Sequence, residues 1–100
     1  MKINIPFNAW SKKRLREGKK CSTARTKIYG KVGDTFEVEG KRFEIVAIQE
    51  MPVDYLLKYH YNDEGAESPE ELKRILNSIF RFSKIPDTLF LHLFEEGEVR

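Results

Sequence analysis

The sequence predicts a small α+β domain, and three observations carry that expectation. Apolar and polar residues alternate over Lys2–Phe7 and again over Thr35–Ile48, the pattern of half-buried strands. Leu72, Ile75, Leu76, Ile79 and Phe80 recur at three and four residues, which places them on one buried helix face. Thr88 to Phe94 is β-prone and apolar at nearly every position, as in a strand covered on both sides. The expected order is strand, helix, hairpin, two helices, strand, so a small mixed barrel with a helical insertion before the last strand is the predicted architecture.

Taken in order, Ile3, Ile5 and Phe7 point one way from a first strand that Pro6 confines to an edge or ends early. Asn8 can cap a helix running through Trp10 and Leu15 to Glu17, with Lys and Arg in its last turn and Gly18 in the left-handed position beyond it. Cys21 to Tyr29 reads as irregular and polar. Gly30, Gly33 and Asp34 announce a turn, after which Phe36, Val38, Phe43 and Ile45 alternate about Glu39-Gly40 as a hairpin. Val53, Leu56, Leu57 and Tyr61 fit a short helix over Pro52–Tyr61. Ser68-Pro69-Glu70-Glu71 is a helix start, in which Ser68 caps, Pro69 suits the first helical position and Glu71 completes a capping box. No repeat, linker or low-complexity tract interrupts the pattern, and residues 1–100 are too few for two cores, so they read as one domain.

Charged residues make up 34% and apolar residues 40% of the chain, yet twelve aromatics are spread along it, which marks a folded protein with a charged surface rather than a disordered one. Cys21 is the single cysteine, so packing and not a disulfide must hold the fold, as suits a reducing compartment. Met1 to Trp10 lacks the apolar run of a signal peptide, and no segment approaches the roughly twenty residues that span a bilayer, so the expected location is the cytoplasm, away from membranes. The net charge of +2 hides a segregation: nine basic residues stand against Glu17 alone between Ser11 and Lys31, while acids gather at Glu64–Glu71 and Glu95–Glu98. Such a pole favours either an anionic partner or a solvated basic helix.

After the first helix, Gly18-Lys19-Lys20-Cys21-Ser22-Thr23-Ala24-Arg25 sets a glycine and two cations ahead of small hydroxyl residues and an arginine. Short side chains let a ligand approach the backbone, and Lys and Arg supply charge and a planar fork for phosphate or carbonyl oxygens. Gly33-Asp34 then leads into a strand, Glu64-Gly65 precedes the capped helix Ser68–Leu72, and Leu89–Phe94 closes the chain. In these segments and in their order, over nearly the whole length, the sequence resembles the ASCH family. The resemblance implies a PUA-like β-barrel with a cleft and an association with RNA. It implies a second class of activity as well. Some similar bacterial proteins are amidohydrolases that remove the acetyl group from N4-acetylcytidine with a lysine, a threonine and a glutamate, at positions that match Lys20, Thr23 and Glu64, with Glu67 the competitor for the last.

In that mechanism a base takes the proton of the Thr23 hydroxyl and so makes it a nucleophile, and a desolvated, neutral Lys20 is such a base. An ionised Glu64 and the neighbouring cations push the lysine in opposite directions, and Glu64 can also pass a proton to the leaving exocyclic amine. Arg25 and Lys19 would bind ligand oxygens and Tyr29 would face the cleft. A binding module would use the same residues to hold an RNA base or a modified nucleoside, with aromatic stacking and 2′-hydroxyl contacts. The plain alternative is that Lys20 and Arg25 are surface cations, Thr23 a strand residue and Glu64 an acid at a helix N-terminus. A ribonuclease, and a protein-interaction module using the acidic Glu64–Glu71 region, are lesser readings.

His60, His92 and Cys21 have no zinc spacing, so no metal and no cofactor is expected. A Cys21–His dyad is weaker than the reading of Cys21 as a small filler. Trp10 reads as core that anchors the first helix, although it could stack on a base, and Tyr55, Tyr59 and Tyr61 are expected to cover the barrel mouth. RNA or a modified nucleoside is the expected partner, and the sequence leaves the oligomeric state open.

Overall fold

A computed structural model describes residues 1–97 and orders them as α1 (Ala9–Arg16), β1 (Ser22–Arg25), β2 (Thr35–Val38), β3 (Lys41–Pro52), α2 (Val53–Tyr59), α3 (Pro69–Ile79) and β4 (Thr88–Gly97). The strands form one antiparallel sheet in the order β1-β4-β3-β2, curled into a half-barrel, with the helical insertion between β3 and β4. This is the α+β class that the sequence patterns predict. Of the acidic tail, Glu98 lies outside the described residues.

Local chemistry explains the element ends. Asn8 Oδ1 accepts from the Ser11 amide at 2.8 Å, which satisfies one of the free donors of α1, and Gly18 beyond its end has φ +74°. β2 and β3 join through Glu39 and Gly40, both left-handed at φ 55° and 76°, the two-residue turn whose twist matches a hairpin. Ser68 Oγ accepts from the Glu71 amide at 3.1 Å and Pro69 opens α3. The Glu71 carboxylate reaches one residue further back than in a capping box, to the Glu67 amide at 3.1 Å, and also meets Arg14 of α1 at 3.5 Å.

Two expectations are corrected. Lys2–Phe7 is extended but makes no strand: it touches the sheet through a parallel bridge, with Ile3 donating to Thr35 at 2.7 Å and Thr35 donating to Met1 at 2.9 Å. The alternation still holds, since Ile5 is buried while Ile3 and Phe7 are half-buried, but Pro6 has no amide to extend a ladder. Conversely, the polar Cys21–Tyr29 stretch contains β1, which pairs with β4 from Ser22↔Leu93 to Arg25↔Phe90. Pairing to a strand 65 or more residues away overrides a local composition that favours a loop.

A bulge splits the interior into two cores. The β3–β4 register shifts between Ile45 and Ala47, so Phe43 and Ile45 face one side of the sheet and Met51, after the extra residue, faces the other. One core gathers Met51, Leu89 and Leu91 under Leu56 of α2 and Leu72 and Leu76 of α3. The other joins Ile5, Leu15, Phe36, Phe43, Ile45 and Phe94, where Phe36 meets the Phe94 ring edge-on at 5.2 Å between centroids. β4 serves both cores, as its unbroken apolar sequence requires. Among the described residues no helix is long and apolar enough to cross a membrane.

Candidate functional site

The segment after α1 is delivered to the start of β1 by two contacts with a distant turn: the amides of Cys21 and Ser22 both donate to the Asp63 carbonyl, at 2.7 and 2.9 Å. That docking brings Glu64 against Lys20. Lys20 Nζ donates to Glu64 Oε2 at 2.7 Å and to the Glu64 carbonyl at 3.1 Å, with 2% and 5% of the two side chains exposed. Gly65 makes the approach feasible. Its φ is +95°, and a Cβ there would sit 3.0 Å from Arg14 Cβ and 3.1 Å from Lys20 Cβ.

Burial lowers the Lys20 pKa below its ordinary value of 10.5; the Glu64 charge and hydrogen bond oppose that shift, and the Arg25 charge adds to it. Arg25, also lowered by burial, donates from Nε to Thr23 Oγ1 at 3.0 Å and from Nη2 to the Pro6 carbonyl at 2.6 Å. Thr23 Oγ1 therefore accepts from Arg25 and keeps its own proton free to donate. Behind them His92 is fully buried: Nε2 accepts from the Tyr29 amide at 2.9 Å while Nδ1 lies 3.0 Å from the Phe90 carbonyl, which fixes a neutral Nδ1–H tautomer. Burial lowers its pKa as well.

Lys20, Thr23, Arg25, Tyr29 and Glu64 line one cavity of about 380 Å³. Its polar end is these side chains. Its walls are the rings of Phe7, Trp10 and Tyr29 and the α3 face Leu72, Ile75, Leu76 and Ile79, with Phe80 just past the helix end. The Arg25 guanidinium lies over both Phe7 and Tyr29, 4.9 and 5.5 Å from the ring centroids, and Lys20 lies over Trp10 at 5.9 Å. Rings, apolar side chains and charged groups thus share one chamber, the mixture of apolar lining and a few polar groups that small-molecule sites present.

Lys19 is exposed and does not line the cavity. Glu67, the rival of Glu64, is exposed and pairs with Arg14 at 4.0 Å. Tyr55 and Tyr59 do not cover the mouth as expected: they are exposed on α2 with their rings tilted together, 4.7 Å between centroids, because Leu56 takes the buried face of that short helix. Trp10 is half-buried and packs at the margin of the α3 core, so it is at once an anchor and a wall. Cys21 and His60 form no dyad, since Asp63 stands between them, 3.6 Å from the sulfur and 2.9 Å from the ring; partial burial and the Asp63 charge raise the thiol pKa. Sequence reasoning missed the α3 wall, Phe7 and Ser11. Their apolar or small side chains carry no chemical signal, and for α3 the helical period was already explained by core packing.

The sequence matches no protein-family model and no curated protein. The fold, however, is similar to those of solved structures. Hypothetical protein PH0355 superposes with a TM-score of 0.72 at 18% identity, over 97% of this chain and 100% of that one. An ASCH domain from Lactobacillus crispatus JV V101 gives 0.67 at 10% identity, over 95% of this chain and 77% of that one. Protein EF3133 from Enterococcus faecalis V583, a DUF984 protein, gives 0.57 at 18% identity, over 87% of this chain and 69% of that one. At these identities the likeness is one of fold: the chain is an α+β protein distantly similar in structure to ASCH and DUF984 proteins.

Proposed function

We propose that the cavity between α1, β1 and α3 binds a nucleoside, free or as part of an RNA, and that the protein is an ASCH-type binding module of the PUA-like class. The observation that carries this reading is the joining of a charged, hydrogen-bonding end with aromatic and apolar walls in a chamber of single-nucleoside size. Phe7, Trp10 and Tyr29 supply aromatic surface, and Lys20, Thr23, Glu64 and Arg25 supply donors and acceptors for base edges and ribose hydroxyls. Trp10 is the single tryptophan of the chain, so its fluorescence reports occupancy directly. Titration with cytidine, N4-acetylcytidine and short single-stranded RNAs is expected to change that emission saturably. An unchanged signal with all of them at low salt, backed by silent calorimetry, overturns the proposal.

A second reading is favoured by one observation, the buried amine of Lys20 with its lowered pKa in the same cavity as the free proton of Thr23. In it the protein hydrolyses the amide of N4-acetylcytidine or a related acylated base. Neutral Lys20 takes the Thr23 proton as Oγ1 bonds to the acyl carbon, and the carbon–nitrogen bond then breaks as the exocyclic amine receives a proton from Lys20 or Glu64. Water hydrolyses the acyl-threonine to acetate. Cytidine release measured chromatographically is expected to rise with pH through a lysine pKa below 10.5 and to vanish in Lys20→Ala and Thr23→Ala. Binding without turnover at any pH leaves the binding module alone.

A further inference from the structure

Among the described residues β1 is an edge strand, with β4 on one side and no strand on the other. Its pairing fixes which of its backbone groups face outward. Phe94 donates to the Cys21 carbonyl at 2.9 Å, so in the antiparallel register the bonded pairs are Cys21/Phe94, Thr23/His92 and Arg25/Phe90. Ser22 and Ala24 then turn their N–H and C=O groups away from β4. The Ser22 amide is taken by Asp63. Among the described residues Ala24 has no such partner, and Ala24 lines the cavity.

The placement of the cavity strengthens the point. Its α3 wall belongs to the core on one face of the sheet, while Phe7 and Tyr29 pack with the core on the other face. A chamber bounded from both faces lies astride the strand edge, where the outward amide and carbonyl of Ala24 point. Ala24 is half-buried, and once a ligand shuts water out of the chamber a backbone donor and acceptor left without partners each cost free energy, so a ligand that pairs both is favoured.

We propose that the free edge of β1 at Ala24 reads the ligand: its N–H donates to a ring nitrogen or carbonyl of a heterocycle and its C=O accepts from the adjacent N–H of the same heterocycle. This rests on the reading that the cavity takes a nucleobase. It adds a selection rule, because a base must present an acceptor next to a donor, as cytosine does with N3 and the N4 amine. A base blocked at that ring nitrogen is rejected, whereas one methylated on the opposite edge is accepted.

The test uses the ¹⁵N-labelled full chain and three probes, cytidine, 5-methylcytidine and 3-methylcytidine. Cytidine and 5-methylcytidine are expected to shift the Ala24 amide resonance and slow its exchange with solvent, and 3-methylcytidine to bind at least tenfold more weakly. A synthetic chain with lactic acid in place of Ala24, which removes the N–H without adding volume and weakens only the Thr23 carbonyl as a ladder acceptor, is expected to keep its fold by circular dichroism and to lose about tenfold in affinity for cytidine, one charge-neutral hydrogen bond's worth. If cytidine binds with the Ala24 amide unmoved, or the ester chain binds as tightly, the edge does not read the ligand although the nucleoside reading stands. If neither cytidine nor 5-methylcytidine binds, the edge reading falls, and the nucleoside reading falls with it when N4-acetylcytidine and short RNAs are silent as well.

Discussion

Lys20 shows how far burial alone can recast an ordinary residue. A lysine is a surface cation by default, and here it is buried against a single carboxylate in the turn that precedes α3. Removing one partner of a buried pair strands the other, so Lys20→Met, which leaves Glu64 alone, is expected to cost about 3–5 kcal/mol in urea denaturation. Glu64→Leu should cost less, because the lowered pKa of Lys20 lets it shed its proton. The double variant should recover more than half of the larger loss, and strictly additive losses would refute the coupling. His92 gives a pH signature. Its folded pKa lies below the unfolded value near 6.5, so the unfolded chain binds the extra proton first. Its contribution is complete above about pH 6.5 and is lost as pH falls through the folded pKa. His92→Asn, which retains a donor toward the Phe90 carbonyl, should flatten the dependence of melting temperature on pH in that acid range. An unchanged slope would assign the acid sensitivity to other groups.

At the scale of the elements, helix starts and turns were the most legible features, since each is set by a few neighbouring residues. Asn8, Ser68 with Pro69, and Glu39-Gly40 all act where the sequence places them. The hairpin turn offers a test of that locality. Glu39 holds φ 55°, a conformation that asparagine tolerates better, and its ion pair with Arg16 is long at 3.5 Å and partly exposed. Glu39→Asn is therefore expected to stabilise the protein by about 0.5 kcal/mol and raise the melting temperature by a few degrees. A lower melting temperature would mean that the ion pair outweighs the backbone strain. Ser68→Ala should cost about 1 kcal/mol, and because α3 walls the cavity it should also weaken ligand binding if that wall shapes the chamber. β1, by contrast, was not legible: four polar or small residues become a strand only because β4 lies beside them.

For the whole molecule, the segregated charge is partly spent inside the fold. Arg14 and Lys20 meet the Glu64–Glu71 acids, and Arg16 meets Glu39, so the basic segment and the acidic one neutralise each other across the α1–α3 boundary. Arg25 is turned into the cavity. Lys12, Lys13, Lys19, Lys27 and Lys31 stay exposed. For RNA whose phosphates lie along this segment alone, its five exposed cations limit the salt dependence: log K against log salt should fall no more steeply than about −3.5, where all nine basic residues would approach about −6. Fluorescence titrations at three salt concentrations measure that slope, and a steeper one would place phosphates on the residues paired here.

The linear order of residues was enough to settle the class of fold, the caps and the hairpin, because periodicity and short-range hydrogen bonding are written locally. Contacts across the chain supplied the rest: the edge strand β1, the bulge that divides the core, the meeting of Lys20 with a carboxylate 44 positions away, and the apolar α3 wall that turns those polar groups into one end of a chamber. Proximity between distant residues depends on how surfaces pack once the backbone has folded, and no local pattern encodes it.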